Sequence, residues 1–168
     1  KGNTVSPDKF IDQYGSDTFR AYLMFMGPFD EGGDWSDQGI TGVCRFLKKV
    51  WRLCLNDNKS DTLSKSDNII INKTIKGVTN DFEAMKFNTA ISKLMEYVNN
   101  FTSKDEIHEK IKEVLIQLLS PIAPHLCEEL WLSLGYEGSI FDEKWPSYDE
   151  NLTLDDVVTV VIQVNGKV

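Results

Sequence analysis

Arg45, Lys48, Lys49 and Arg52 stand together in the stretch GVCRFLKKVWRL, residues 42–53, which holds no acidic residue. Cationic side chains at this spacing could bind phosphate. At about 100° per residue, a helix gathers all four on one side. It gathers Val43, Leu47, Val50 and Cys54 on the other, flanked by Phe46 and Trp51. Arginine and lysine on such a face make phosphate contacts, which give affinity and register but little sequence information. The competing reading is a solvated face that only keeps the helix soluble. Lys73 and Lys76, one turn apart in NKTIKG, form a sparser second pair.

Little else in the chain could react. His108 and His125 have no metal-ligand spacing to another His or Cys. Cys44, Cys54 and Cys127 are scattered through helical patterns without a CxxC pair, as expected of reduced core thiols in a cytosolic protein. The adjacent acids Glu128 and Glu129 suit the electrostatics of a helix start. Asp17 and Arg20 are spaced to pair or cap across one helical turn. Gly32-Gly33 reads as a loop, and no glycine-rich phosphate cradle is present. The residues therefore assign no catalytic group and no metal site, and they call for no cofactor.

Charge is unevenly spread. The net charge is −8, and residues 126–156 account for it, with nine acids against the single base Lys144. The remainder is neutral, so a local basic face can still meet a polyanion, with the acidic segment facing away from it. At 168 residues and 41% hydrophobic content, the chain can bury one ordinary core. No apolar run is long enough to span a bilayer, and no signal peptide opens the sequence.

The elements that must carry these residues are helical. Ser6-Pro7-Asp8 starts a helix that Gly15 can stop near Tyr14. DTFRAYLMFM, apolar nearly all round, predicts a buried helix ending before Gly27-Pro28. Ser36 or Asp37 caps the helix that bears the basic face, and a polar linker follows from Asn56. Ile71, Ile75, Val78, Phe82 and Met85 then mark a long helix. Asn88-Thr89 caps another, with Ile91, Leu94, Met95, Val98 and Phe101 as its stripe. Ser103 and Glu106 make a capping box for the next, and PHLCEELWLSL resumes as a helix at Pro124. These stripes and short polar connections predict a mainly α fold, an antiparallel helix bundle. Trp51 and Trp131 are expected in its core. The acidic stretch after Gly135 should drape over the surface, anchored by Phe141 and Trp145. Val157 to Val164 predicts a β-strand leading to an Asn165-Gly166 turn with almost nothing beyond it, so the chain is expected to be a piece of a larger protein.

Taken in order, several segments match one family. The opening KGNTVSPDKFIDQYGSDTFRAYLMFMGP resembles the region just after the KMSKS-type signature of class I aminoacyl-tRNA synthetases, although the signature itself is absent. MFMGP, GVCRFLKKVWRL, NKTIKGVTNDFEAMKFNTAI, SPIAPHLCEELW and VVIQVNGKV together resemble bacterial-type leucyl-tRNA synthetase. APHLCEELW alone is similar to several class Ia enzymes.

The resemblance implies a division of the chain. Residues 1–33 would be a helical stem-contact segment, 34–150 the anticodon-binding helical bundle, and 151–168 the start of a C-terminal domain, entered by an orphan β-strand. It implies a cytoplasmic parent enzyme that attaches leucine to its tRNA using ATP with Mg, through catalytic and editing domains outside these residues. It implies tRNA as partner, along with the other domains of the same chain, and no membrane. Leucyl enzymes do not take the anticodon as a main identity element, so the bundle would brace the tRNA through its phosphates. Arg45, Lys48, Lys49, Arg52, Lys73 and Lys76 are the candidate tRNA-binding residues. The alternatives are a helical protein-interaction module, or the equivalent domain of an isoleucyl- or valyl-tRNA synthetase.

Overall fold

The structure, a computed structural model, describes residues 6–154. The expected strand 157–164 and its Asn165-Gly166 turn lie outside the described residues. Seven α-helices are present among the described residues: α1 (Pro7–Tyr14), α2 (Ser16–Phe25), α3 (Asp37–Cys54), α4 (Lys65–Glu83), α5 (Phe87–Phe101), α6 (Glu109–Leu119) and α7 (Pro124–Ser133). Two short strands, β1 (Lys59–Ser60) and β2 (Ile107–His108), pair in parallel, with Lys59 opposite Ile107 and Ser60 opposite His108.

Local chemistry accounts for most helix ends. Proline opens α1 and α7, where the missing N–H has no intrahelical partner to lose. Gly15 takes φ 85°, a left-handed value that costs glycine nothing, and lets α1 turn directly into α2. Ser36 caps α3, its Oγ accepting from the Gly39 N–H at 3.3 Å, and Ser64 caps α4 in the same way through Asp67.

Two expected starts are different. The chain does not enter a helix at Ser103. The Ile107 N–H donates to Asn58 O at 3.0 Å, and this distant partner draws the segment into the β1–β2 pair. His108 becomes the cap of α6 instead, its Nδ1 accepting from the Lys110 N–H at 3.1 Å. The helix α5 begins at Phe87, ahead of Asn88-Thr89. Met85 takes φ 57°, and the Lys86 N–H reaches back to Asp81 O at 2.7 Å, so the turn from α4 is tighter than the sequence suggests.

One buried cluster joins every helix, from Phe10 on α1 and Tyr22 on α2 to Leu130 on α7. On α3 it takes Val43, Leu47, Val50 and Cys54, as the spacing predicts. The expectation that α2 is buried nearly all round does not hold. Its neighbours α1, α3, α5 and α7 cover one arc that holds Ala21 and Tyr22, and leave Leu23 exposed. Trp131 is buried and stacks on Tyr136 with centroids 4.0 Å apart. Trp51 is not in the core: 36% of it is exposed at the edge of the α3 stripe.

The acidic stretch drapes over α7 and α4. Its anchor is Ile140, buried, whereas Phe141 points outward. Glu128 holds this turn, accepting from the Ser139 hydroxyl at 3.1 Å and the Ile140 N–H at 3.0 Å, so its role is tethering rather than helix-start electrostatics. Trp145 is half-exposed, yet its Nε1–H donates to Thr79 Oγ1 at 2.8 Å and its ring meets Phe82 edge-on. Further on, Asn72 Oδ1 accepts the Asp149 N–H at 2.7 Å.

Candidate nucleic-acid interface

Arg45, Lys48, Lys49 and Arg52 are all exposed on α3, held outward by the burial of Val43, Phe46, Leu47 and Val50 between them. Arg45, Lys48 and Arg52 have no hydrogen-bond or ion-pair partner among the described residues, so their charge is available. Lys49 alone is tied, donating to Asn99 Oδ1 on α5 at 3.0 Å.

The face is divided by its neighbours. Arg45 and Lys49 line a shallow depression of about 280 Å³ between α3 and α5, with Phe46, Met95 and Asn99. Lys49 and Arg52 line a second of about 290 Å³, which runs past Asn56 to Thr102 and Lys104. Lys49 is common to both, so the two form one trench along the α3–α5 seam. Neither lining includes a carboxylate. Lys104 adds charge at one end, although it pairs with Asp67 Oδ1 at 2.5 Å and lies over the Phe101 ring.

Lys48 faces away from this trench. It lines a cleft of about 290 Å³ with Trp51, Leu47, Cys44, Tyr14 and Leu126, on the side of α3 toward α1, α2 and α7. The wall of that cleft is fixed by Asp17. Its Oδ2 accepts the Leu126 N–H at 2.6 Å, capping α7 from the neighbouring helix, and its Oδ1 lies 2.8 Å from His125 Nδ1. Arg20 does not pair with Asp17; its guanidinium donates to the carbonyls of Pro121 (3.1 Å) and Ile122 (3.4 Å) in the turn before α7.

The second candidate pair does not join the basic face. Lys76 lies on α4, where it forms an ion pair with Glu150, donates to Thr153 Oγ1 at 3.2 Å and sits over Tyr148. It holds the acidic stretch down. Lys73 is half-buried on the same helix. The helix α4 packs on α5, α6 and the turn at Glu150–Leu152, whereas α3 packs on α2, α5 and α7. The acidic turn at Glu150–Leu152 thus lies against α4, whereas Glu128 and Glu129 lie on α7. Among the described residues, no group of three His, Cys, Asp or Glu side chains is placed to hold a metal, and no helix is long and apolar enough to cross a membrane.

Residues 70–168 match the family model of the anticodon-binding domain of tRNA ligase. The chain belongs to that family. Across 99% of its length the domain is also similar to a solved structure, the ternary complex of Agrobacterium radiobacter K84 agnB2 LeuRS with tRNA and LeuAMS, with 28% sequence identity and a TM-score of 0.78. The domain spans 24% of that longer chain.

Within this anticodon-binding domain, sequence reasoning missed Asn99 and Lys104, which close the trench from the α5 side. Asn99 follows Met95 at helical spacing on α5, a signal that could have placed it beside the basic face once α3 and α5 were known to pack together.

Proposed function

We propose that this domain braces the tRNA of a leucine–tRNA ligase through the phosphate backbone, with Arg45, Lys49 and Arg52 as principal contacts and Lys48 on the flank. The observation that carries the proposal is the carboxylate-free trench between α3 and α5, whose arginines have no partner among the described residues. A groove of fixed cations presented by rigid helices suits a polyanion of fixed curvature, and contributes affinity in proportion to the counterions released. The likeness to a LeuRS in complex with tRNA, over nearly the whole chain, supports both the ligase and its nucleic acid. Lys73 and Lys76 stay outside the principal set, because Lys76 is already engaged by Glu150.

In this reading the parent enzyme is cytoplasmic and joins leucine to tRNA using ATP with Mg, on catalytic and editing domains outside residues 1–168. Residues 1–33 link the catalytic domain to the bundle of 34–150, and 151–168 lead into the C-terminal domain. The bundle itself is not catalytic.

The test is a salt titration of binding to leucine tRNA and to a non-cognate tRNA. The wild-type chain is compared with Arg45→Glu/Arg52→Glu. Expected are a falling log K with log [salt], a slope shallower by about 1 for each phosphate that the variant no longer neutralises, and similar affinities for the two tRNAs. A folded wild-type chain that binds neither tRNA at low salt would refute the reading and favour a protein-interaction module.

A further inference from the structure

Trp51 differs from the other tryptophans of the chain. Trp35 packs against the rings of Phe10, Phe19 and Tyr22, Trp131 stacks on Tyr136, and Trp145 meets Phe82. Trp51 has no ring partner and no acceptor for its Nε1–H among the described residues, and it is 36% exposed. A large aromatic left half-open by a well-packed helix is an unfilled stacking surface.

Its setting is specific. The indole borders the cleft of about 290 Å³ whose lining is apolar apart from Lys48, Asp17 and Thr18. Both oxygens of the Asp17 carboxylate are engaged, one accepting the Leu126 N–H and the other 2.8 Å from His125 Nδ1. Around the α3 surface Lys48 lies next to the indole and Arg52 follows beyond it, and both are exposed. The volume falls at the lower edge of small-ligand pockets, about 300–1,000 Å³, which suits one planar ring system.

We propose that this cleft receives a single unstacked base of the bound tRNA, stacked on the Trp51 indole with its flanking phosphates held by Lys48 and Arg52. The inference rests on the tRNA-bracing reading and adds a base contact to it. The α3 surface argues for the occupant: the cleft and the trench share no lining residue, but Arg52 lines the trench, Lys48 lines the cleft, and the two exposed cations stand one turn apart on the same helix. A backbone tracking the trench therefore arrives at the cleft with a nucleotide to place. Stacking tolerates any base, so the subsite adds affinity and register without choosing a sequence.

The experiment measures leucine-tRNA affinity across a range of salt for wild type, Trp51→Leu, Trp51→Phe and Arg45→Glu/Arg52→Glu. Trp51→Leu is expected to weaken binding about ten- to a hundredfold at every salt concentration, and Trp51→Phe to recover most of that affinity. The slope of log K against log [salt] should not change in Trp51→Leu, because stacking releases no counterions. In parallel, alkylation of Cys44 in the wild-type cleft should be slowed by bound tRNA; Cys54 and Cys127 are buried and serve as internal controls.

The outcomes separate the two readings. If Trp51→Leu binds as wild type while the arginine variant does not, the base subsite is wrong and the phosphate reading stands. If neither substitution weakens binding, both readings fail. A shallower salt slope in Trp51→Leu would mean that the indole only positions Lys48 and Arg52, which overturns the stacking. Should Trp51→Leu fail to fold, Cys44 decides: protection by tRNA supports the occupied cleft, and unchanged alkylation refutes it.

Discussion

Replacing Asp17 by alanine should unfasten α7 from α2. The carboxylate is buried and accepts the Leu126 N–H, an orphan donor in the first turn of α7, at 2.6 Å. Removing a helix cap typically costs about 1 kcal/mol, and removing a hydrogen bond to a charged group about 1.5–3 kcal/mol. These describe the same contact and do not add, so about 2–3 kcal/mol is expected. The partner on the other oxygen matters less. The His125 side chain is 75% exposed, and an exposed ion pair contributes about 0–1 kcal/mol. For a chain of this size each kcal/mol moves Tm by roughly 2–4 °C. Asp17→Ala should therefore lower Tm by roughly 4–12 °C in a far-ultraviolet circular dichroism melt, Asp17→Asn by less, and His125→Ala by about 4 °C or less. If His125→Ala costs as much as Asp17→Ala, the His125 contact rather than the buried cap fastens the two helices, and the reasoning fails.

Other expectations follow from named contacts. A β-carbon at Gly27 would lie 2.2 Å from Gly32 O, so Gly27→Ala must open that loop and should cost about 1–3 kcal/mol, read by urea unfolding. Gly42 meets nothing within 4 Å inside α3, so Gly42→Ala should stabilise by about 0.5–1 kcal/mol in the same assay. Tyr22→Phe strips the hydroxyl that accepts the Ser36 N–H and donates to Ser36 O, both at 2.9 Å, and should cost about 1–2 kcal/mol. Burial pushes the Cys54 thiol up to about 12 from 9.0. Above pH 9 the unfolded chain releases this proton and the folded chain keeps it, so stability falls as pH rises from 9 toward 12, by at most about 1.4 kcal/mol per pH unit for this group. Lys112, its ammonium pushed down by burial, acts in the opposite sense. Cys54→Ala should flatten the alkaline decline measured between pH 8 and 10.5; an unchanged decline would remove Cys54 as a source.

What the sequence disclosed was whatever depends on near neighbours in the chain. The α3 stripe, the proline starts of α1 and α7, the glycine turn at Gly15 and the exposure of Arg45, Lys48, Lys49 and Arg52 all follow from periodicity and capping. Partners brought from afar were not legible. Ser103 and Glu106 have the spacing of a capping box, but Ile107 finds Asn58 and the helix starts later. Lys76 looks like Lys48 in sequence until Glu150 folds back onto it. Trp51 has the composition of a core residue, and its exposure depends on the cleft left open beside Tyr14 of α1 and Leu126 of α7. The candidate interface was half visible: the α3 side could be read, whereas Asn99 and Lys104 required knowledge of which helix lies alongside.

The two-residue parallel pair of β1 and β2 has a consequence for how the chain assembles. It closes a loop containing the whole α4–α5 hairpin, and so ties the exit of α3 to the entrance of α6. A ladder this short cannot hold itself together in water. The hairpin brings its ends near each other, and closing a loop costs entropy that grows only slowly with loop length. The clasp should therefore form after the hairpin and open with it. The Ile107 amide, bonded to Asn58 O, then becomes a timekeeper: its hydrogen exchange should keep pace with the interior amides of α4 and α5, although its own strand is only two residues long.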